Sequence, residues 1–116
     1  MSKAKVSVTL RSDPQGYVED YLLLLNGMLK LTSTELQVLA AFINYDSTVC
    51  ASKSARKVVS ERLKMKNVAV LNNYVKALKD KKCIYKDRMG LYRYNGLVSP
   101  KEPISSIEFI FNSIDD

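Results

Sequence analysis

Polar and apolar residues alternate at the start of this chain and shift to a helical rhythm within a dozen positions. Val6, Val8 and Leu10 alternate with Ser7, Thr9 and Arg11, the two-residue period of a half-buried strand. Ser12-Asp13-Pro14 then marks a helix start, with Asp13 as cap and Pro14 in the first turn, where its missing N–H is no loss. The spacing predicts a first helix from Pro14 to about Leu29, with Tyr17, Tyr21, Leu24, Leu25 and Met28 as its buried stripe. Leu22 and Leu23 widen that stripe until the helix is apolar nearly all round. Such a helix is either central to the fold or set against a second subunit.

Thr32-Ser33-Thr34-Glu35 has the spacing of a capping box, the Thr32 hydroxyl accepting from the Glu35 backbone while Glu35 reaches back. The helix that follows gathers Leu36, Leu39, Ala40 and Ile43 on one face, with Phe42 beside them, and Asp46-Ser47-Thr48 reads as its exit loop. A third helix begins near Ser54, with Ala55, Val59 and Leu63 at four-residue steps and Val58 alongside. Lys64-Met65-Lys66 is a short turn, and Asn67 caps a fourth helix in which Val68, Leu71, Val75 and Leu78 fall at helical spacing. That helix is expected to end among Asp80, Lys81 and Lys82. Two short β-prone runs follow, Ile84-Tyr85-Lys86 and Leu91-Tyr92-Arg93-Tyr94. Asp87-Arg88-Met89-Gly90 joins them with the Asp-first, Gly-last pattern of a type I turn. Gly96, Pro100 and Pro103 mark an irregular stretch, and Ile107, Phe109 and Phe111 alternate as a closing strand. The first and last strands would each be an exposed apolar edge alone, so they are expected to pair, within one chain or between two.

Composition narrows the class. A chain of 116 residues with 47% hydrophobic and 26% charged residues suits one folded domain and argues against disorder. The longest apolar run, around Tyr21 to Leu25, is too short to span a bilayer, and no signal peptide opens the chain, so the expected location is the cytoplasm. Cys50 and Cys83 stand 33 positions apart with no second cysteine near either, which is no zinc spacing. Buried free thiols are expected, a disulfide being the rarer alternative in a reducing compartment. The chain has no histidine, which removes Ser-His and Cys-His pairs and the commonest metal ligand. With no phosphate-cradling glycine loop either, the reading is of a protein that is not an enzyme and needs no metal or cofactor.

Charge adds a direction. Residues 1–50 hold four Lys/Arg against five Asp/Glu, residues 51–101 hold fourteen against three, and residues 102–116 hold none against four. The net +6 therefore conceals a middle segment of +11. A solvated lysine-rich face accounts for that in many proteins. Here the same segment holds the closely spaced helix pair, and the coincidence points to a polyanionic partner.

From Leu31 to Arg93 the order of elements resembles the winged helix-turn-helix superfamily, as in MarR-like regulators and phage or plasmid replication initiators. Leu31-Thr32-x-x-Glu35-x-x-Val38-Leu39 is similar to the first helix of such domains. Leu63-x-Met65-x-Asn67, then Leu71, Val75 and Leu78, then Lys81-Lys82-Cys83-Ile84 parallels a tight turn, a recognition helix and the entry to a wing. Lys82-Cys83 departs from the pattern, since the family usually has a glycine before the first wing strand. The resemblance implies an α+β fold of about four helices with a C-terminal β-hairpin wing and short terminal strands. One domain would cover residues 1–116, with its core at 31–95, an N-terminal strand and helix at 1–30, and a C-terminal extension at 96–116.

It also implies a partner, double-stranded DNA, and a small transcriptional regulator working as a homodimer on two half-sites. The terminal strands and the helix at 14–29 are the candidate dimer surface. The recognition helix would turn Ala69, Asn72, Asn73, Lys76 and Lys79 outward, asparagine pairing with adenine edges and lysine with guanine edges or phosphates. On the wing, Lys86, Arg88 and Arg93 would reach the backbone or the minor groove. A helix whose Asn and Lys merely face water is the plain alternative. Tyr85, Tyr92 and Tyr94 interleave with these cations and are read as packing across the wing rather than stacking on bases. The apolar opening Val68-Ala69-Val70 suits thymine methyls, or else a second role in which a phage or plasmid replication or packaging accessory docks protein through this surface.

Overall fold

Each helix of the computed structural model starts on a side-chain cap. The structure describes residues 2–98 and 106–113, with side chains over residues 9–98. Its elements run β1 (Ser2–Thr9), α1 (Pro14–Leu29), α2 (Ser33–Tyr45), α3 (Lys53–Arg62), α4 (Val68–Asp80), β2 (Ile84–Lys86), β3 (Tyr92–Tyr94) and β4 (Ser106–Ser113). Asp13, Thr32, Ser52 and Asn67 accept from the backbone N–H of Gly16, Glu35, Ala55 and Val70, each satisfying a donor the helix cannot pair internally. At α2 the capping box is complete, because the Glu35 carboxylate also accepts from the Thr32 N–H at 2.8 Å. The architecture is thus α+β among the described residues, with four helices, a two-stranded antiparallel hairpin and a two-stranded terminal ribbon.

The centre is α2. Leu36, Val38, Leu39, Ala40, Ala41, Phe42 and Ile43 are all buried, so most of this helix's surface is covered, with Ser33, Gln37 and Tyr45 left exposed. The leucine-rich α1 is a flank instead, which corrects the expected central placement within the chain. Its buried axis runs through Val18 and Leu22, with Tyr17, Tyr21 and Leu29 packed against the core. Leu24 and Leu25 are only half-buried, whereas Leu23 and Met28 are 64% and 65% exposed. The expected stripe is therefore right at Tyr17 and Tyr21 and wrong at Met28, with Val18 buried in addition. At 100° per residue the consecutive leucines from 22 to 25 sample every face of a helix, so spacing alone cannot choose among them.

Helices α3 and α4 both end on Schellman motifs. The Lys64 and Met65 N–H groups donate back to Glu61 and Ser60 carbonyls, at 3.1 and 2.8 Å. Likewise Lys82 and Cys83 donate to Lys79 and Leu78, both at 3.0 Å. The pivotal residues are left-handed, Lys64 at φ 56° and Lys82 at φ 63°. Lys82 thus takes the conformation for which a glycine would be the unstrained choice, and the chain leaves α4 in the usual way despite the lysine.

β2 and β3 pair antiparallel with Ile84 opposite Tyr94, Tyr85 opposite Arg93 and Lys86 opposite Tyr92. β3 is one residue shorter than the apolar run suggested, since Leu91 lies in the turn and is 40% exposed. Gly90, at φ 80°, completes that turn, its N–H donating to the Asp87 carbonyl at 3.1 Å. β1 and β4 pair within one chain, in unbroken antiparallel register from Ser2 opposite Ser113 to Thr9 opposite Ser106. The irregular stretch around Pro100 and Pro103 lies outside the described residues, as do the strand side chains from Val6 to Val8 and from Ile107 to Phe111. Both cysteines are free and buried, and no described helix is long and apolar enough to cross a membrane.

Candidate nucleic-acid interface

Leu71, Val75 and Leu78 are buried at 0%, 3% and 0% exposure, which rotates the opposite face of α4 into solvent. Ala69, Asn72, Asn73, Lys76 and Lys79, the positions expected to face outward, are all exposed. Val68 is not part of the buried stripe as spacing suggested, for it is 38% exposed, and Val70 is 36% exposed. Val68 lies instead at an open groove beside the start of α3.

Sequence reasoning missed the start of α3. Lys53, Arg56 and Lys57 line an open groove together with Val68 of α4, and Arg56 also lines a cleft of about 490 Å³ with Lys86 and Tyr92 of the hairpin. Ser52 and Arg56 line both, so the two hollows adjoin at these residues, with Lys53 and Lys57 on one and Lys86 on the other. The signal was present in the lysine-rich α3 sequence, but only folding brings that helix start beside the hairpin.

The hairpin is fixed from two sides. Asp87 accepts from the N–H groups of Met89 and Leu91 at 2.8 and 3.0 Å, and from Arg93 Nε at 3.0 Å. These contacts hold its carboxyl below the usual range, the Arg93 hydrogen bond contributing most. Arg93 also donates to the Thr48 carbonyl at 3.2 Å, and the Cys50 N–H donates to the Tyr92 carbonyl at 2.9 Å. Tyr94 is buried and its hydroxyl donates to the Asp46 carbonyl at 2.8 Å, which is packing rather than a stacking platform. Tyr92 is half-buried beneath two cations, Lys86 at 5.4 Å and Arg56 at 5.9 Å from its ring centre. Tyr85 is the exposed one of the three, at 54%.

The predicted site residues therefore divide. Ala69, Asn73, Lys76, Lys79, Lys86 and Arg88 are exposed. Asn72 is exposed yet bonded to Arg56, and Arg93 is half-buried and tied to Asp87 and Thr48. Lys53, Lys57, Lys76, Lys79, Lys86 and Arg88 have no carboxylate partner among the described residues, where the ion pairs are Arg11–Asp20, Lys81–Glu35 and Arg93–Asp87. Among the described residues no three His, Cys, Asp or Glu side chains converge as a metal site. No protein-family model, curated protein or solved structure matches this chain.

Proposed function

We propose that residues 31–95 form a winged helix-turn-helix and that the chain binds double-stranded DNA through it as a small transcriptional regulator. α3 and α4 are the helix pair, α4 is the recognition helix, and the β2–β3 hairpin is the wing. The observation that carries this reading is the exposed Asn72, Asn73 and Lys76 face of α4, with Asn72 bonded to Arg56 of α3 and with Lys53, Lys57 and Lys86 lining the hollows that Arg56 borders. Phosphate contacts made by those cations supply affinity without sequence preference, and the polar face of α4 supplies base contacts.

A second reading has its own observation. Val68 and Val70 are exposed at the start of α4, and Met89 at the hairpin tip is 85% exposed. Apolar side chains in those places suit docking to protein, as in a replication or packaging accessory. Titration of duplex DNA at several salt concentrations separates the two. Contact with roughly five phosphates gives a slope of log affinity on log salt of about −4 to −5. A flat dependence, or no duplex binding at low salt, refutes DNA as the main partner and leaves protein docking.

A further inference from the structure

Asn72 meets a fixed neighbour before it meets any base. Its Oδ1 accepts from Arg56 Nη1 at 2.7 Å. A guanidinium has donors only, so this contact settles which end of the amide is oxygen. Arg56 is itself held, with Nε donating to the Ala51 carbonyl at 2.8 Å and the guanidinium over the Tyr92 ring. The segment before α3, the outer face of α4 and strand β3 thus meet on one side chain.

We propose that Arg56 sets the base preference of Asn72, so that this position reads a base presenting a keto acceptor in the major groove, guanine or thymine, and disfavours the amino bases adenine and cytosine. The inference rests on the DNA-binding reading above and deepens it. A free asparagine recognises adenine by accepting from N6–H while donating to N7. At Asn72 a positive guanidinium already draws on the oxygen, which weakens it as an acceptor and sets like-signed charge in front of an approaching amino hydrogen. The same contact polarises the Nδ2 hydrogens, which have no acceptor among the described residues and sit on an exposed side chain. Guanine offers N7 and O6 and thymine offers O4, whereas the N7 of adenine comes with an amino group that would face the oxygen already held by Arg56. Arg56 touches the reading side chain and not the base, so it is a positioning residue.

The test is selection of bound duplexes from a random pool by four proteins: wild type, Asn72→Ala, Arg56→Met and Asn72→Asp. The position read by Asn72 is the one whose preference disappears in Asn72→Ala. In the wild type, guanine or thymine should exceed adenine there by about tenfold. In Arg56→Met that ratio should fall at least fivefold as adenine enters, while preferences elsewhere in the site persist. Asn72→Asp keeps an acceptor for Arg56 but has no N–H to offer, so it should lose the keto preference with an unchanged melting midpoint. That variant keeps the question answerable if Arg56→Met fails to fold. Adenine or cytosine at this position in the wild type overturns the inference, as does an unchanged ratio in folded Arg56→Met or an unchanged profile in Asn72→Ala. A pool that enriches no sequence for any protein overturns the DNA-reading assignment itself, and this inference with it.

Discussion

Glu35 ties three helix ends together, and its removal should be felt as lost stability rather than as altered binding. Its carboxylate completes the cap of α2 by accepting from the Thr32 N–H at 2.8 Å, and also accepts from the Lys81 ammonium at the end of α4. Lys81 donates in turn to the Lys30 carbonyl at the end of α1, at 2.8 Å. Burial alone would push the Glu35 carboxyl up, but the hydrogen bonds from Lys81 and Thr32 together outweigh it and hold the group below its ordinary value. Loss of the cap in Glu35→Ala costs about 1 kcal/mol. The charge-assisted bond to Lys81 would be worth about 1.5–3 kcal/mol if fully buried. Lys81 is 32% exposed, so solvent screening reduces that contribution to about 1 kcal/mol. The expected total of about 2 kcal/mol corresponds to a fall in melting midpoint of about 8 °C for a domain of this size. Glu35→Gln keeps a competent capping side chain and loses only the charge, so about half that fall is expected. Thermal unfolding followed by circular dichroism at pH 7 measures both. Because the folded carboxyl is depressed, its contribution should be full above the ordinary carboxylate value, about 4.3, and vanish as pH falls through the lower folded value. The wild type and Glu35→Gln should then converge in acid. A Gln variant as stable as the wild type at pH 7, or a difference between the two that persists in acid, would refute the assigned role of the ion pair.

Two further outcomes test the backbone and the core. Lys82 at φ 63° carries a side chain in a conformation that suits glycine, so Lys82→Gly should raise stability by about 0.5–1 kcal/mol, net of added freedom in the unfolded chain. Lys76→Gly within α4 should instead lower it by about 1 kcal/mol, and chemical denaturation of both variants checks the opposite signs. Cys50 is 1% exposed with its thiol pushed up to about 12, mainly by burial, and burial also raises Cys83, which is 0% exposed. Neither should react with a thiol reagent at pH 8 until denaturant is added, and rapid labelling of the native protein would show that the core opens there.

Local chemistry made most of the fold legible. Caps at Asp13, Thr32 and Asn67 are short-range events written in consecutive residues, and so is the Asp87–Gly90 turn, which is why those boundaries agree with the structure. Burial is decided over longer range. Val18 and Leu22 rather than Met28 became the buried axis of α1 because α2 fills the centre, and nothing within residues 14–29 states where α2 will lie. The left-handed lysines were illegible for a related reason. A Schellman ending is set by the hydrogen bonds of the preceding turn and by what Cys83 must pack against, and those demands outweigh the modest cost of a non-glycine residue at Lys82.

The candidate site was legible as a face and illegible as a set of contacts. Helical spacing with Leu71, Val75 and Leu78 inward is enough to place Asn72, Asn73 and Lys76 outward, and charge counting is enough to mark the segment as basic. Neither reveals that two arginines of that segment tie the hairpin down, one to the loop after α2 and one to the helix pair. Arg93 joins Asp87 to the Thr48 carbonyl, and Arg56, over the Tyr92 ring, joins Ala51 and Asn72, partners up to 45 residues away in sequence. A surface that touches a major groove with a helix and the adjoining backbone with a hairpin must keep the angle between them, since an error of an ångström misplaces a base contact. The +11 of residues 51–101 therefore overstates the charge available to phosphates, because Arg93 and Lys81 are already paired with carboxylates. Lys53, Lys57, Lys76, Lys79, Lys86 and Arg88 have no such partner among the described residues, and under the proposed DNA binding, phosphate contact by about five of them gives a slope of about −4 to −5.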